Sequence, residues 1–142
     1  MLPLGELEGA LTRKYKQMKK IIETENAPKA IGPYSQAVEV NGTLYISGQI
    51  PINPETMKVV DGGIKEQTTR VLKNIGAILE AATYSYSDVV KSTCMLADIS
   101  LFKEMNEVYE QFYAESKPAR VTFAVKDLPM GVLVEIETIA AK

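Results

Sequence analysis

Two charged residues near the C-terminus interrupt runs that are otherwise apolar and β-rich. Arg120 opens Arg-Val-Thr-Phe-Ala-Val125, and Glu135 breaks Val132-Leu-Val-Glu-Ile136. A guanidinium is a fixed cationic fork that suits two-point contact with a carboxylate, and an ionised glutamate can accept a proton or orient a water. Together they form a candidate site for a small anion. Lys117 to Ile139 breaks at Leu128-Pro-Met-Gly131, a turn-like composition, so the segment reads as a pair of antiparallel strands. Alternation places Val121, Phe123 and Val125 on one face and Arg120, Thr122 and Ala124 on the other. A hairpin closing symmetrically about Pro129 and Met130 sets Ala124 opposite Glu135 and brings Arg120, Thr122 and Glu135 to one face. Arg120 then stands roughly 13 Å along the strand from the Glu135 rung, with room for a ligand and a water. A slip of one residue reverses the faces, and a neighbouring subunit is the other source for the glutamate. The competing reading is a structural ion pair, or two charges facing solvent separately.

Other residues carry weaker signals. Tyr34, in Pro33-Tyr34-Ser35, can line a pocket, although a lone loop tyrosine is more often packing with its hydroxyl bonded. Ser47-Gly48 at a strand end lets a ligand approach the backbone, against a plain strand terminus. Asn106 lies only marginally opposite the apolar stripe of a helix and can bond to a loop backbone. Cys94 falls in a buried-looking strand and reads as an inert small hydrophobe. Gly62-Gly63 lacks the spacing of a phosphate loop and reads as a turn.

Composition narrows the chemistry. The 142 residues suit one domain with its own core, and the formal net charge of -2 argues against broad electrostatic binding of nucleic acid. There is no histidine, which removes the usual general base and the commonest transition-metal ligand. No Asp or Glu cluster has metal-ligand spacing, so no metal site is expected. The single cysteine cannot form an internal disulfide, in keeping with a reducing compartment such as the cytoplasm. No apolar run is long enough to span a membrane.

These residues need elements to hold them. Residues 1–17 differ from the remainder and read as an N-terminal extension, either a short helix using Leu4, Leu7 and Leu11 or disordered, with Met18 as a candidate original start. Glu23 to Ser35 is an irregular loop. Val38 to Ser47 carries Asn41-Gly42 between β-rich runs, a strong hairpin signal, and Lys58-Val-Val60 is a short edge strand. Apolar positions Ile64, Val71, Ile75, Ile78, Leu79 and Ala82 recur at helical spacing over Ile64–Thr83. Val89–Ala97 reads as a buried strand, and a second helix from about Ser100 to Ala114 buries Phe102, Met105, Val108, Tyr109 and Phe112. The order ββ(β)αβαββ predicts a two-layer α+β fold with helices on one face. The other sheet face, carrying Val121, Phe123 and Val125 or the opposite set, then needs a cover, and self-association supplies one.

Five segments in order resemble one family. Ile31-Gly-Pro-Tyr-Ser-Gln-Ala37, Ser47-Gly-Gln-Ile-Pro51, Asn106-Glu-Val-Tyr-Glu-Gln-Phe112, Pro118-Ala-Arg120 and Leu128-Pro-Met-Gly-Val-Leu-Val-Glu-Ile-Glu137 are similar to the RidA (YjgF) family of reactive imine/enamine deaminases. The resemblance covers residues 18–142 as a single domain. It implies a chorismate-mutase-like fold with a mixed sheet and two helices on one face, and a homotrimer with clefts between subunits. It also implies hydrolysis of 2-iminobutanoate and 2-iminopropanoate without cofactor or metal, so the partner is a small carboxylate-bearing imine or keto acid. Under it Arg120 is the carboxylate-binding residue and Glu135 holds the hydrolytic water. Tyr34, Ser47, Gly48 and Asn106 line or support the cleft, and Thr122 keeps a hydroxyl where some members have a thiol. Residues 1–17 have no counterpart. Two other classes stay open: an endoribonuclease on single-stranded RNA, and a keto-acid-binding sensor trimer without turnover.

Overall fold

The computed structural model describes residues 1 and 3–142, with 12–18 described through their backbone alone. Helix α1 (Leu4–Met18) comes first, with Leu4, Leu7 and Leu11 exposed along it. Strand β1 (Lys20–Ile22), which the sequence reading did not anticipate, leads through a long loop into β2 (Ala37–Val40) and β3 (Thr43–Gln49). Asn41 and Gly42 take φ of 50° and 77°, the positive values a two-residue type I′ turn demands, so Val40 stands opposite Thr43. Two short strands, β4 (Ile52–Asn53) and β5 (Lys58–Val59), pair in a small sheet.

Helix α2 (Ile64–Ala81) starts where the Gly63 N–H donates to the Glu66 carboxylate at 3.0 Å, which satisfies a free helix-end donor. Its stripe of Ile64, Val71, Ile75, Ile78 and Leu79 is buried, as the periodicity predicts. Strand β6 (Val89–Leu96), helix α3 (Phe102–Tyr113), strand β7 (Ala119–Ala124) and strand β8 (Val134–Ala141) complete the chain. Among the described residues, no helix is long and apolar enough to cross a membrane.

The main sheet runs β1-β2-β3-β8-β6-β7 and is mixed: β6 and β7 are parallel, the remaining neighbours antiparallel. A parallel pair needs a crossover, and α3 is that crossover. Helices α2 and α3 cover one sheet face, closing a core of Leu44, Ile46, Leu72, Ile75, Leu96 and Ile136 among others. β6 is buried on this face only, through Val89, Ser92, Cys94 and Leu96. The opposite face stays open, with Tyr45, Val121 and Phe123 exposed at 50%, 43% and 42%, whereas Val125 is half-buried.

The expected hairpin between the last two strands does not form. β7 pairs only with β6 at the sheet edge, and β8 inserts between β3 and β6. The connection through Pro129–Gly131 passes around the end of β6: the Val125 N–H donates to Leu96 O at 2.9 Å and the Ala97 N–H to Leu133 O at 3.0 Å. Leu96 and Ala97 therefore separate the two segments that a hairpin would set side by side.

Candidate functional site

Glu135 sits on β8 with its side chain on the open sheet face, in register with Met95 and, across β6, Phe123. Opposite it β3 carries a bulge. Ile46 pairs with Thr138 and Gln49 with Ile136, so Ser47 and Gly48 together face Glu137 alone. Such an extra residue bends the strand and re-aims its neighbours. Gly48 is needed there because the Glu135 carboxylate lies across its bare backbone: a Cβ would stand 3.1 Å from the Glu135 Cδ and collide with a carboxylate oxygen. Burial raises the Glu135 pKa above the ordinary glutamate value, and the like charge of Glu137 adds to the rise.

The bulge also anchors the long loop. The Ser47 hydroxyl donates to Ser35 O at 2.6 Å and the Ser47 N–H to Gln36 O at 3.0 Å. Buried Gln36 in turn donates through Nε2 to the carbonyls of Thr24, Ala27 and Pro28 and accepts from the Thr24 N–H at 2.7 Å. This holds Tyr34, which is exposed, beside Ser47, Tyr45 and Glu137 along an open cleft.

Arg120 belongs to a second group, on the helix-covered side of the edge strand. Its Nη1 donates to Asn106 Oδ1 at 2.7 Å, and its guanidinium carbon lies 4.8 Å from the Tyr109 ring centroid and 5.4 Å from that of Phe102. Asn106 is thus the partner of an arginine and not of a loop backbone. Thr122 shares the face of Arg120 and is in register with Cys94. Its hydroxyl is buried and lies against the thiol without a well-formed hydrogen bond. Burial pushes the Cys94 thiol up to about 11, so it stays protonated and unreactive near neutrality.

The structure therefore brings Tyr34, Ser47, Gly48 and Glu135 together on one side, and Arg120, Asn106 and Thr122 on the other. Within one chain the expected shared face of Arg120, Thr122 and Glu135 is not found. Strand β6 stands between β7 and β8, and Arg120 and Glu135 occupy positions of opposite parity along the shared register. Phe102 and Tyr109, which the helical periodicity assigns to the core, also belong to the Arg120 group. Their spacing from Asn106, at i, i+4 and i+7, puts all three on one stripe of α3 and was the available signal.

Comparison with known proteins shows the family of the chain. The model of the Endoribonuclease L-PSP family matches residues 24–142. This chain belongs to that family, the RidA (YjgF) group. A RutC family protein of Pyrococcus horikoshii is 58% identical over 88% of this chain and 99% of its own length. The 2-iminobutanoate/2-iminopropanoate deaminase of Bos taurus is 50% identical over 88% of this chain and 91% of its own. Among solved structures, Escherichia coli TdcF with bound serine has a TM-score of 0.82 and 41% identity, covering 87% of this chain and 98% of its own. Helix α1 lies outside the matched family region, and the RidA-like segment contains both groups of candidate residues.

Proposed function

We propose that this chain hydrolyses 2-imino acids and their enamine tautomers, such as 2-iminobutanoate and 2-iminopropanoate, to 2-keto acids and ammonia. The observation that carries the reading is the division of the site. A guanidinium held by Asn106 stands at a sheet edge, and a carboxyl of raised pKa stands on an open sheet face, each half incomplete alone. A homotrimer completes it by setting the edge of one subunit against the open face of the next. The deaminase name of the bovine relative and the small amino acid bound by TdcF point to the same substrate class.

The chemistry needs only these parts. Arg120 grips the substrate carboxylate and fixes the orientation of the adjacent C=N carbon. Glu135 accepts a proton from the water as the water oxygen bonds to that carbon, and passes this proton to the imine nitrogen, giving a neutral amino-alcohol. Glu135 then takes the hydroxyl proton and delivers it to the nitrogen, so the C–N bond breaks, ammonia leaves and the oxygen becomes the keto carbonyl. Imines hydrolyse in water unaided, so positioning without a histidine suffices. Tyr34, Ser47, Gly48 and Thr122 line or support the cleft in this reading.

The test generates the imine with a threonine dehydratase and follows its decay. The parent chain accelerates decay, and Arg120→Ala and Glu135→Ala each remove about 10²-fold or more of the acceleration. Binding of 2-ketobutyrate without acceleration would instead identify a sensor, and salt-sensitive cleavage of single-stranded RNA a nuclease.

A further inference from the structure

Arginine is long and flexible, and an unsupported guanidinium loses rotamer freedom whenever it engages a ligand. Arg120 does not stand free. Phe102, Asn106 and Tyr109 project from one stripe of α3, and all three meet the same guanidinium. The ring contacts confine the group to the aromatic surface, and the bond to Asn106 sets its rotation within that plane. Tyr109 is itself tied down, because its hydroxyl and Ser92 Oγ are 3.0 Å apart and Ser92 is fully buried. Ser92 is the residue of β6 in register with Arg120 on β7. The aromatic support is thus fastened to the strand beside the arginine it supports, so the gap between ring and guanidinium is set by the sheet.

We propose that Tyr109, with Phe102, is a positioning residue that pre-orders Arg120 for an acid group with two coplanar oxygens. Asn106 occupies one of the five N–H donors of the fork, and the others remain for the ligand. The inference rests on Arg120 being the carboxylate-gripping group of the proposed deaminase. A purely structural Tyr109 would affect stability without affecting ligand affinity.

The experiment measures 2-ketobutyrate binding by calorimetry, and KM and kcat for imine decay, on the full chain. Tyr109→Leu weakens binding and raises KM about 5–30-fold with a smaller effect on kcat, the range of a lost cation–π contact. Tyr109→Phe keeps the ring and restores affinity to within about twofold of the parent, whatever its melting temperature. Should Tyr109→Leu fail to fold, Phe102→Leu at its half-exposed position carries the test, with an expected loss of about 2–5-fold. Folded variants that bind as tightly as the parent, while Arg120→Ala abolishes binding, overturn the inference and leave the deaminase reading intact. If Arg120→Ala itself binds normally, the reading of the site is what fails.

Discussion

Arg120 and Glu135 differ in what their surroundings ask of them. The arginine is held by an amide and two rings, so its shape matters as much as its charge. Arg120→Lys keeps the cation but loses the planar fork, and the imine-decay rate should fall about 10-fold or more. Glu135 carries a pKa raised chiefly by burial. In the proposed role of base it must be ionised, so kcat/KM should fall as pH drops through an apparent pKa above the ordinary glutamate value of about 4.3. That limb should vanish in the residual rate of Glu135→Gln, a comparison that also subtracts the titration of the imine. Stability follows with a definite sign. A folded-state pKa above the unfolded value favours the protonated carboxyl, and this contribution is lost as pH rises through the folded pKa. Glu135→Gln should therefore melt at or slightly above the parent at pH 7, with the difference closing below the unfolded pKa.

At the scale of elements, the bulge of β3 couples loop, strand and carboxylate. Gly48→Ala would put a methyl group where the Glu135 carboxylate lies. That carboxylate is the movable end of a side chain on an open face, so the strain is relieved by displacing it. Stability should change by less than about 1 kcal/mol while imine decay slows about 10-fold or more, and adding Glu135→Ala should bring little further loss. Gln36→Ala is the contrasting case. It deprives the carbonyls of Thr24, Ala27 and Pro28 of their shared donor and should cost about 1–3 kcal/mol in denaturant titration, loosening the Tyr34 loop with it. Helix α2 acts similarly on the neighbouring connections. Asn74 donates to Ile50 O and Ile52 O, and Gln67 accepts from the Leu133 N–H just before β8.

For the whole molecule, opposite placement of Arg120 and Glu135 turns the question of assembly into one of activity. If each site takes its arginine from one subunit and its glutamate from another, two inactive variants can rescue one another. Refolding Arg120→Ala with Glu135→Ala at equal amounts should restore about a quarter of the parental rate, since half of the subunits offer each intact residue at random. Rates that stay at the level of the separate variants would show that no site is shared. The exposed patch of Val121 and Phe123 gives an independent check. Phe123→Glu should shift the chain to a smaller species in light scattering, with retained circular dichroism and lost imine decay.

Much of this protein was legible in its residues. Asn41-Gly42 dictates the first hairpin because only positive φ at both positions closes a two-residue turn, and the spacing of Ile64, Val71, Ile75 and Ile78 dictates the buried face of α2. The segments around Tyr34, Ser47, Asn106, Arg120 and Glu135 carry the family and the roles proposed for those positions. Strand partners were not legible, because period-two alternation names the face of each residue relative to its own strand and says nothing of which strand lies beside it. The α3 crossover makes β7 a parallel neighbour of β6 and leaves β8 to close against β3, and that choice depends on packing across the entire sheet. Only the tertiary structure decided that the guanidinium of Arg120 rests on Tyr109 and that Glu135 faces away from it, for both follow from contacts between elements distant along the chain.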